Sequence, residues 1–266
     1  MKKILAKAYI WVLLALLYAP LVFIAIFSFT ESRVLGNWSG FSTKLYANLF
    51  TGDMQGSSSL ITAVENTLLI ALISATVSML LGTIAAIGIH NLRGRKKQVV
   101  SFLNNIPMIN PDVITGVSLF LLFVFLHLSQ GYVTVILAHI SVGTPYVVLS
   151  VLPRLRQMNP NIYEAALDLG ATPSQALRKV LIPELRPGMI SGFLLAFTMS
   201  LDDFAVTFFT RGTIGLDTLS TYIYTDARKG GLTPELRPLM TLIFLIILIL
   251  LIVLNIRQEK AKKPNR

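Results

Sequence analysis

Six long apolar stretches, almost free of charge, constrain this chain more than any other feature. They run over about 8–29, 61–90, 99–126, 132–152, 188–209 and 238–256. A hydrocarbon core about 30 Å thick takes about 20 helical residues to cross. Inside it, backbone polar groups must be satisfied within the segment itself. Each stretch is therefore expected to be a transmembrane α-helix. The fold class is all-α, a polytopic membrane protein with one six-helix transmembrane domain over 1–266. A mean hydropathy of +0.69 and a charged fraction of 14% exclude an ordinary soluble domain. The first stretch follows Met1-Lys2-Lys3, as a secretory leader would. Its apolar run exceeds the roughly 7–15 residues of such a leader and no small-x-small site follows, so it reads as a span. The chain has no cysteine, which removes disulfides and thiolate metal sites.

Orientation follows from Lys and Arg. With both termini in the cytoplasm, 17 of the 23 basic residues fall inside. They include Arg93, Arg95, Lys96, Lys97, Arg154, Arg156, Arg178, Lys179 and the tail from Arg257 to Arg266. Arg33, Lys44, Arg211, Arg228, Lys229 and Arg237 fall outside. The net charge of +10 is thus an orientation signal and a contact with anionic lipid. It is scattered over loops and tails, so nucleic acid is not an expected partner.

That orientation puts the polar segment 153–187 in the cytoplasm. Glu164-Ala165-Ala166-Leu167-Asp168-Leu169 favours a short helix, and Gly170 can stop it with φ > 0. Thr172-Pro173-Ser174-Gln175 then restarts a helix, with Thr at N-cap, Pro at N1 and Gln closing a capping box. Pro183 and Pro187 are expected to end the segment. The spacing Glu-Ala-Ala, Gly170, Val180 and Ile182-Pro183 resembles the EAA-x3-G-x9-I-x-LP loop of ABC-importer permeases. Val180 and Ile182 depart from that pattern, each by an apolar residue of similar size. The resemblance implies the type I ABC-importer permease fold, with Glu164, Ala165, Ala166, Gly170 and Pro183 in the loop that couples to an ATPase.

The acids at membrane depth are Glu65, Asp112, Asp202 and Asp203, with no Lys or Arg in 99–152 or 188–209. A carboxylate in hydrocarbon costs at least about 2.5 kcal/mol, so such groups face a cavity, a partner or a substrate route. At 1.5 Å per residue, Asp112 and Asp202-Asp203 both lie roughly 20–24 Å from the cytoplasmic start of their spans. Glu65, entering from outside, is expected above them near the mouth. Pro111 breaks the third span beside Asp112, as in transporter helices that line a site. Asp112 could equally restart a helix, its charge complementing the dipole. Adjacent helical residues diverge by about 100°, so only one of Asp202 and Asp203 is expected to face a pathway, and one of them could pair with a hydroxyl or a Lys elsewhere. His90, His127 and His139 have no metal-ligand companions and read as packing or interfacial residues. Ser74, Thr76, Ser78, Gly82 and Gly88 suit close helix packing. Two long external loops, about 30–60 and 210–237, carry aromatics, and Trp38 is the best single candidate for docking an external receptor.

A lumen lined only by acids suits a cationic solute. Ser200-Leu201-Asp202-Asp203-Phe204, Thr207-Phe208-Phe209-Thr210, Leu219-Ser220-Thr221-Tyr222-Ile223-Tyr224 and Leu232-Thr233-Pro234-Glu235 resemble the second permease subunit of spermidine/putrescine importers. The resemblance implies a bacterial inner-membrane complex. Its members would be this chain, a homologous permease as a heterodimer partner, two ATP-binding cassette subunits, and a periplasmic or lipid-anchored polyamine-binding protein. No G-x-x-x-x-G-K-[ST] occurs, so no cofactor is expected here and ATP with Mg²⁺ belongs to the partner ATPase. The chain is not expected to be an enzyme by itself. A ferric-ion permease would also use carboxylates, but those chains are typically fused doubles. A proton-coupled secondary transporter would too, with internal repeats that are not visible here.

Overall fold

The computed structural model describes residues 2–32, 34, 36–51, 57–159, 161–213, 216–229, 233–245 and 248–249. Its helices are α1 (Lys2–Phe27), α2 (Lys44–Thr51), α3 (Ser57–Asn91), α4 (Gly94–Ile109), α5 (Asp112–Phe125), α6 (Tyr132–Gln157), α7 (Asn161–Asp168), α8 (Pro173–Ala176), α9 (Ile182–Asp202), α10 (Ala205–Thr210), α11 (Leu219–Arg228) and α12 (Leu236–Leu245). Among the described residues there is no strand. The rest of the sixth stretch and the basic tail from Arg257 lie outside the described residues, as do Arg33 and Leu232.

Four runs are long and apolar enough to cross a membrane unaided: Tyr9–Phe27, Ser58–Asn91, Tyr132–Gln157 and Pro173–Asp202. They correspond to the first, second, fourth and fifth expected spans. The third, expected over 99–126 with a break at Pro111, is two helices, α4 and α5, bent by 107°. Asn110 and Pro111 are both extended there, with ψ of 136° and 138°. Pro111 carries no N–H to continue α4, and it biases Asn110 away from helical ψ.

The segment after α6 forms as expected up to a point. Gly170 stops the turn after α7 with φ +86°, a region that costs a side chain about 1 kcal/mol or more. Thr172 caps α8: Gln175 N–H donates to its Oγ1 at 3.4 Å, and Thr172 N–H donates to Gln175 Oε1 at 3.0 Å. Pro183 and Pro187, however, do not end the segment, because α9 runs through both. A π-helical turn over Leu177–Leu181 makes this possible, with Ile182 N–H donating to Leu177 O. Widening the turn ahead of Pro183 re-registers the hydrogen bonds where the proline has no N–H to give.

The chain divides into two units, residues 1–59 with 223–266, and residues 60–222. In the first, the segment after α1 folds on itself. Thr30 Oγ1 meets Ser39 Oγ at 3.0 Å, Ser42 Oγ donates to Glu31 Oε1 at 2.6 Å, and Phe29 stacks on Phe41. Arg237, at the start of α12, is buried and donates to Ser32 O at 2.8 Å.

The second unit is framed by α3, α6 and α9, which cross at Val147. A Cβ on Gly82 would fall 2.6 Å from Val147 Cβ, and one on Gly192 would fall 3.0 Å from Val147 Cα. One on Gly143 would sit 2.9 Å from Ser78 Oγ. The backbones are therefore as close as glycine allows, a packing mode suited to lipid, where dispersion and interhelical hydrogen bonds replace hydrophobic drive. Ser78 Oγ donates to Ile140 O at 3.3 Å, adding one such bond. Thr76 instead donates within its own helix to Leu72 O, and Gly88 faces open space, so neither joins the frame.

Candidate functional site

Two helix breaks in the second unit open onto one cavity of about 420 Å³. The first is the Asn110-Pro111 break. Asp112 is the first residue of α5, where a carboxylate complements the dipole, and it also lines the cavity. Asp112 thus both starts a helix and faces the cavity. The second break lies between α9 and α10 and has no proline. Asp203 is extended, with φ −61° and ψ 129°, and its carboxylate caps α10. Val206 N–H donates to Oδ1 at 3.3 Å, while Thr207 N–H and Thr207 Oγ1 each lie 2.7 Å from Oδ2. A side chain that takes two orphan backbone donors stabilises a fresh helix start, so Asp203 breaks the fifth span by restarting it.

His139 completes that network from α6. Its Nδ1 lies 2.5 Å from Ser200 Oγ, and its Nε2 lies 2.8 Å from Thr207 Oγ1 and 3.3 Å from Asp203 Oδ2. The ring is buried, and the Asp203 side chain is only 14% exposed. His139 is therefore part of the carboxylate site and more than a packing residue. The signal was available in depth: seven residues inward of Tyr132, it lies about 10 Å from that end of its span. That is the level already deduced for the acids. Ser200 and Thr207 were missed as site residues for the same reason.

Asp202 has the opposite surroundings. It is exposed at the cavity wall and forms no ion pair among the described residues. The structure thus brings Asp112, Asp202 and Asp203 around one cavity and separates the adjacent pair, Asp202 open and Asp203 engaged. His139, Met199, Phe204 and Val206 also line it, and no Lys or Arg does among the described residues. Glu65 is exposed on α3 and does not line this cavity. Its neighbour Asn66 is buried, bridging Asp217 O at 2.9 Å and the Tyr132 hydroxyl at 2.6 Å. Among the described residues no group of His, Asp and Glu is arranged to hold a metal ion.

Trp38 lies in the first unit, 48% exposed, its ring edge-on to Phe27 with centroids 6.1 Å apart. Glu164 and Ala165 are exposed on α7, Ala166 is half-buried, and Pro183 lies in the first turn of α9. Leu169, which sequence reasoning passed over, is 89% exposed at the tip beside Gly170.

The family model for "Binding-protein-dependent transport system inner membrane component" matches residues 78–259. The putrescine transport system permease protein PotI of Escherichia coli K12 is 40% identical over 234 residues, 85% of this chain and 81% of that one. The spermidine/putrescine transport system permease protein PotC of Haemophilus influenzae is 36% identical over 239 residues, 90% of each chain. Among solved structures, a bacterial ABC transporter that imports the acidic polysaccharide alginate matches with a TM-score of 0.67 at 16% identity, covering 97% of this chain and 95% of that one. The MetNI methionine ABC transporter, in an inward-facing conformation, matches at 0.57 and 21% identity, covering 77% and 96%. At these identities the two structures speak for the fold alone. The chain belongs to the family of binding-protein-dependent transport system inner membrane components and has the type I ABC-importer permease fold.

Proposed function

We propose that the chain is one permease subunit of an ATP-driven importer of polyamines, working as a heterodimer with a second, homologous permease. The observation that carries the cargo class is the cavity where two broken segments present Asp112 and Asp202 with no Lys or Arg in its lining among the described residues. Ammonium groups form charge-assisted hydrogen bonds with such carboxylates, whereas an anionic solute would be repelled. The names of the relatives, putrescine and spermidine/putrescine permeases, support the same class.

In this reading both termini lie in the cytoplasm, and a polyamine-binding protein docks outside with Trp38 among its contacts. The released cation enters near Glu65 and passes Asp112 and Asp202. Two ATP-binding cassette subunits, which bind the ATP and Mg²⁺, meet the turn formed by α7, Gly170 and α8. Because α8, the π turn and α9 form one continuous run from Pro173 to Asp202 and α7 packs against its start, movement at Glu164–Ala166 is passed by packing to that run and through Pro183 to Asp202. That continuity lets one rigid lever tie ATP closure to the cavity, which is what alternating access needs.

Uptake of labelled spermidine by membrane vesicles carrying the complete transporter tests this. Uptake is expected only with ATP and the binding protein, and uptake indifferent to ATP contradicts ATP coupling. Gly170→Asp is expected to leave the complex inserted and hydrolysing ATP while uptake is lost. A Cβ there meets nothing within 4 Å, so its effect is on the φ +86° turn and the docking face.

A further inference from the structure

A second cavity of about 690 Å³ lies at the far end of the α3–α6 pair, lined by residues at the end of α3, the start of α4, the end of α6, α7 and the π turn. Arg156 is 24 residues along from Tyr132, about 36 Å on a helix, which is beyond a hydrocarbon core of about 30 Å and at headgroup level. Arg93, Lys97 and Arg156 line it, against one carboxylate, Glu164. Among the described residues none of these four forms an ion pair. Lys97 Nζ donates to His90 O at 3.2 Å, which holds the amine at the cavity wall. His90 Nδ1 is buried there, with no hydrogen-bond partner among the described residues. The floor is apolar, with Leu92, Leu155 and Leu181 among its residues.

Three unpaired cations over an apolar floor, at headgroup depth between membrane helices, have the chemistry of a site for an anionic phosphate with a greasy attachment. We propose that this cavity holds the phosphate of an anionic phospholipid from the cytoplasmic leaflet, between Arg93, Lys97 and Arg156. The site goes beyond transport itself and rests on the proposed orientation.

The test is native mass spectrometry of the purified transporter, permeases with ATPases, titrated with dioleoyl phosphatidylglycerol or dioleoyl phosphatidylcholine. Phosphatidylglycerol is expected to be retained preferentially, and Arg93→Gln/Arg156→Gln to lose about fivefold in affinity per cation removed. Arg95→Gln/Lys96→Gln, two nearby cations that do not line the cavity, serves as the matched control and is expected to retain it. Should the double variant not assemble, Arg156→Gln alone and the lipid preference of the wild type carry the test. Equal retention of both lipids by the wild type overturns the proposal, as does equal loss in the control. Millimolar inorganic phosphate that binds and displaces the lipid entirely would assign the site to free phosphate. Loss of the ATPases with lipid retained would assign the cations to protein docking, and either result overturns the lipid. Orientation is checked separately, since the chain has no cysteine: Arg95→Cys in intact cells is expected to resist a membrane-impermeant maleimide.

Discussion

The third and fifth membrane segments are interrupted at the same cavity by different chemistry. At Pro111 the break is covalent, because the ring has no N–H and constrains the residue before it. At Asp203 it is made by a side chain, since the carboxylate takes the N–H groups of Val206 and Thr207 and His139 braces it. The first break persists whatever surrounds it, whereas the second persists only while its hydrogen bonds do. The difference also separates two adjacent acids. Asp203 is occupied in holding the break, so the carboxylate left facing the cavity from that segment is Asp202, across from Asp112.

The sharpest way to break this comparison is Asp203→Ala. It removes a helix cap, at about 1–2 kcal/mol, and leaves buried polar partners unsatisfied, at about 1–3 kcal/mol more. We expect a lower thermal midpoint for the complex and no uptake; an unchanged midpoint would falsify the capping role. Asp202→Asn comes next in overall effect. It should leave the midpoint within about 0.5 kcal/mol of wild type, as for a surface change. Loss of a charge-assisted contact of about 1.5–3 kcal/mol should raise the KM for polyamine roughly 10- to 100-fold. A large midpoint shift there, or an unaltered KM, would mean the roles of the two acids are reversed.

Pro111→Ala is expected to do less. The variant gains freedom in the unfolded chain and loses about 0.4–1 kcal/mol, while Asn110 Nδ2 still donates to Thr115 Oγ1 at 3.2 Å across the break. Uptake should fall a few-fold, about what 1 kcal/mol allows. Complete loss would show the two breaks to be equally fragile. His139→Gln, which keeps a donor and an acceptor near Ser200, is expected to cost least, and His139→Leu clearly more, when the midpoints of the two are compared.

The same contrast explains what was legible in the sequence. The Pro111 break could be read because proline carries its conformational effect in its own ring. The capping box at Thr172 and the turn at Gly170 could be read because their partners lie within four residues. Asp203 could not be read that way: an aspartate inside an apolar run looks like a pathway residue, and its bracing partner is 64 positions away on α6. Pro183 and Pro187 misled because proline usually ends a helix, and nothing local announces the π turn that accommodates them. The depth of the carboxylates was deduced by counting along the spans. Extending the count to His139 would have placed it with them, whereas Glu65, set near the mouth by depth alone, does not line this cavity.

The central claim is that open carboxylates at two broken segments receive a cationic solute. It is tested most directly by ATP-dependent uptake of labelled spermidine into proteoliposomes holding the complete transporter, comparing wild type with Asp112→Asn/Asp202→Asn at equal insertion. We predict saturable uptake by the wild type and a KM in the double variant raised beyond that of Asp202→Asn alone, with ATP hydrolysis retained. Uptake by the double variant indistinguishable from wild type would place the cation elsewhere and contradict the account.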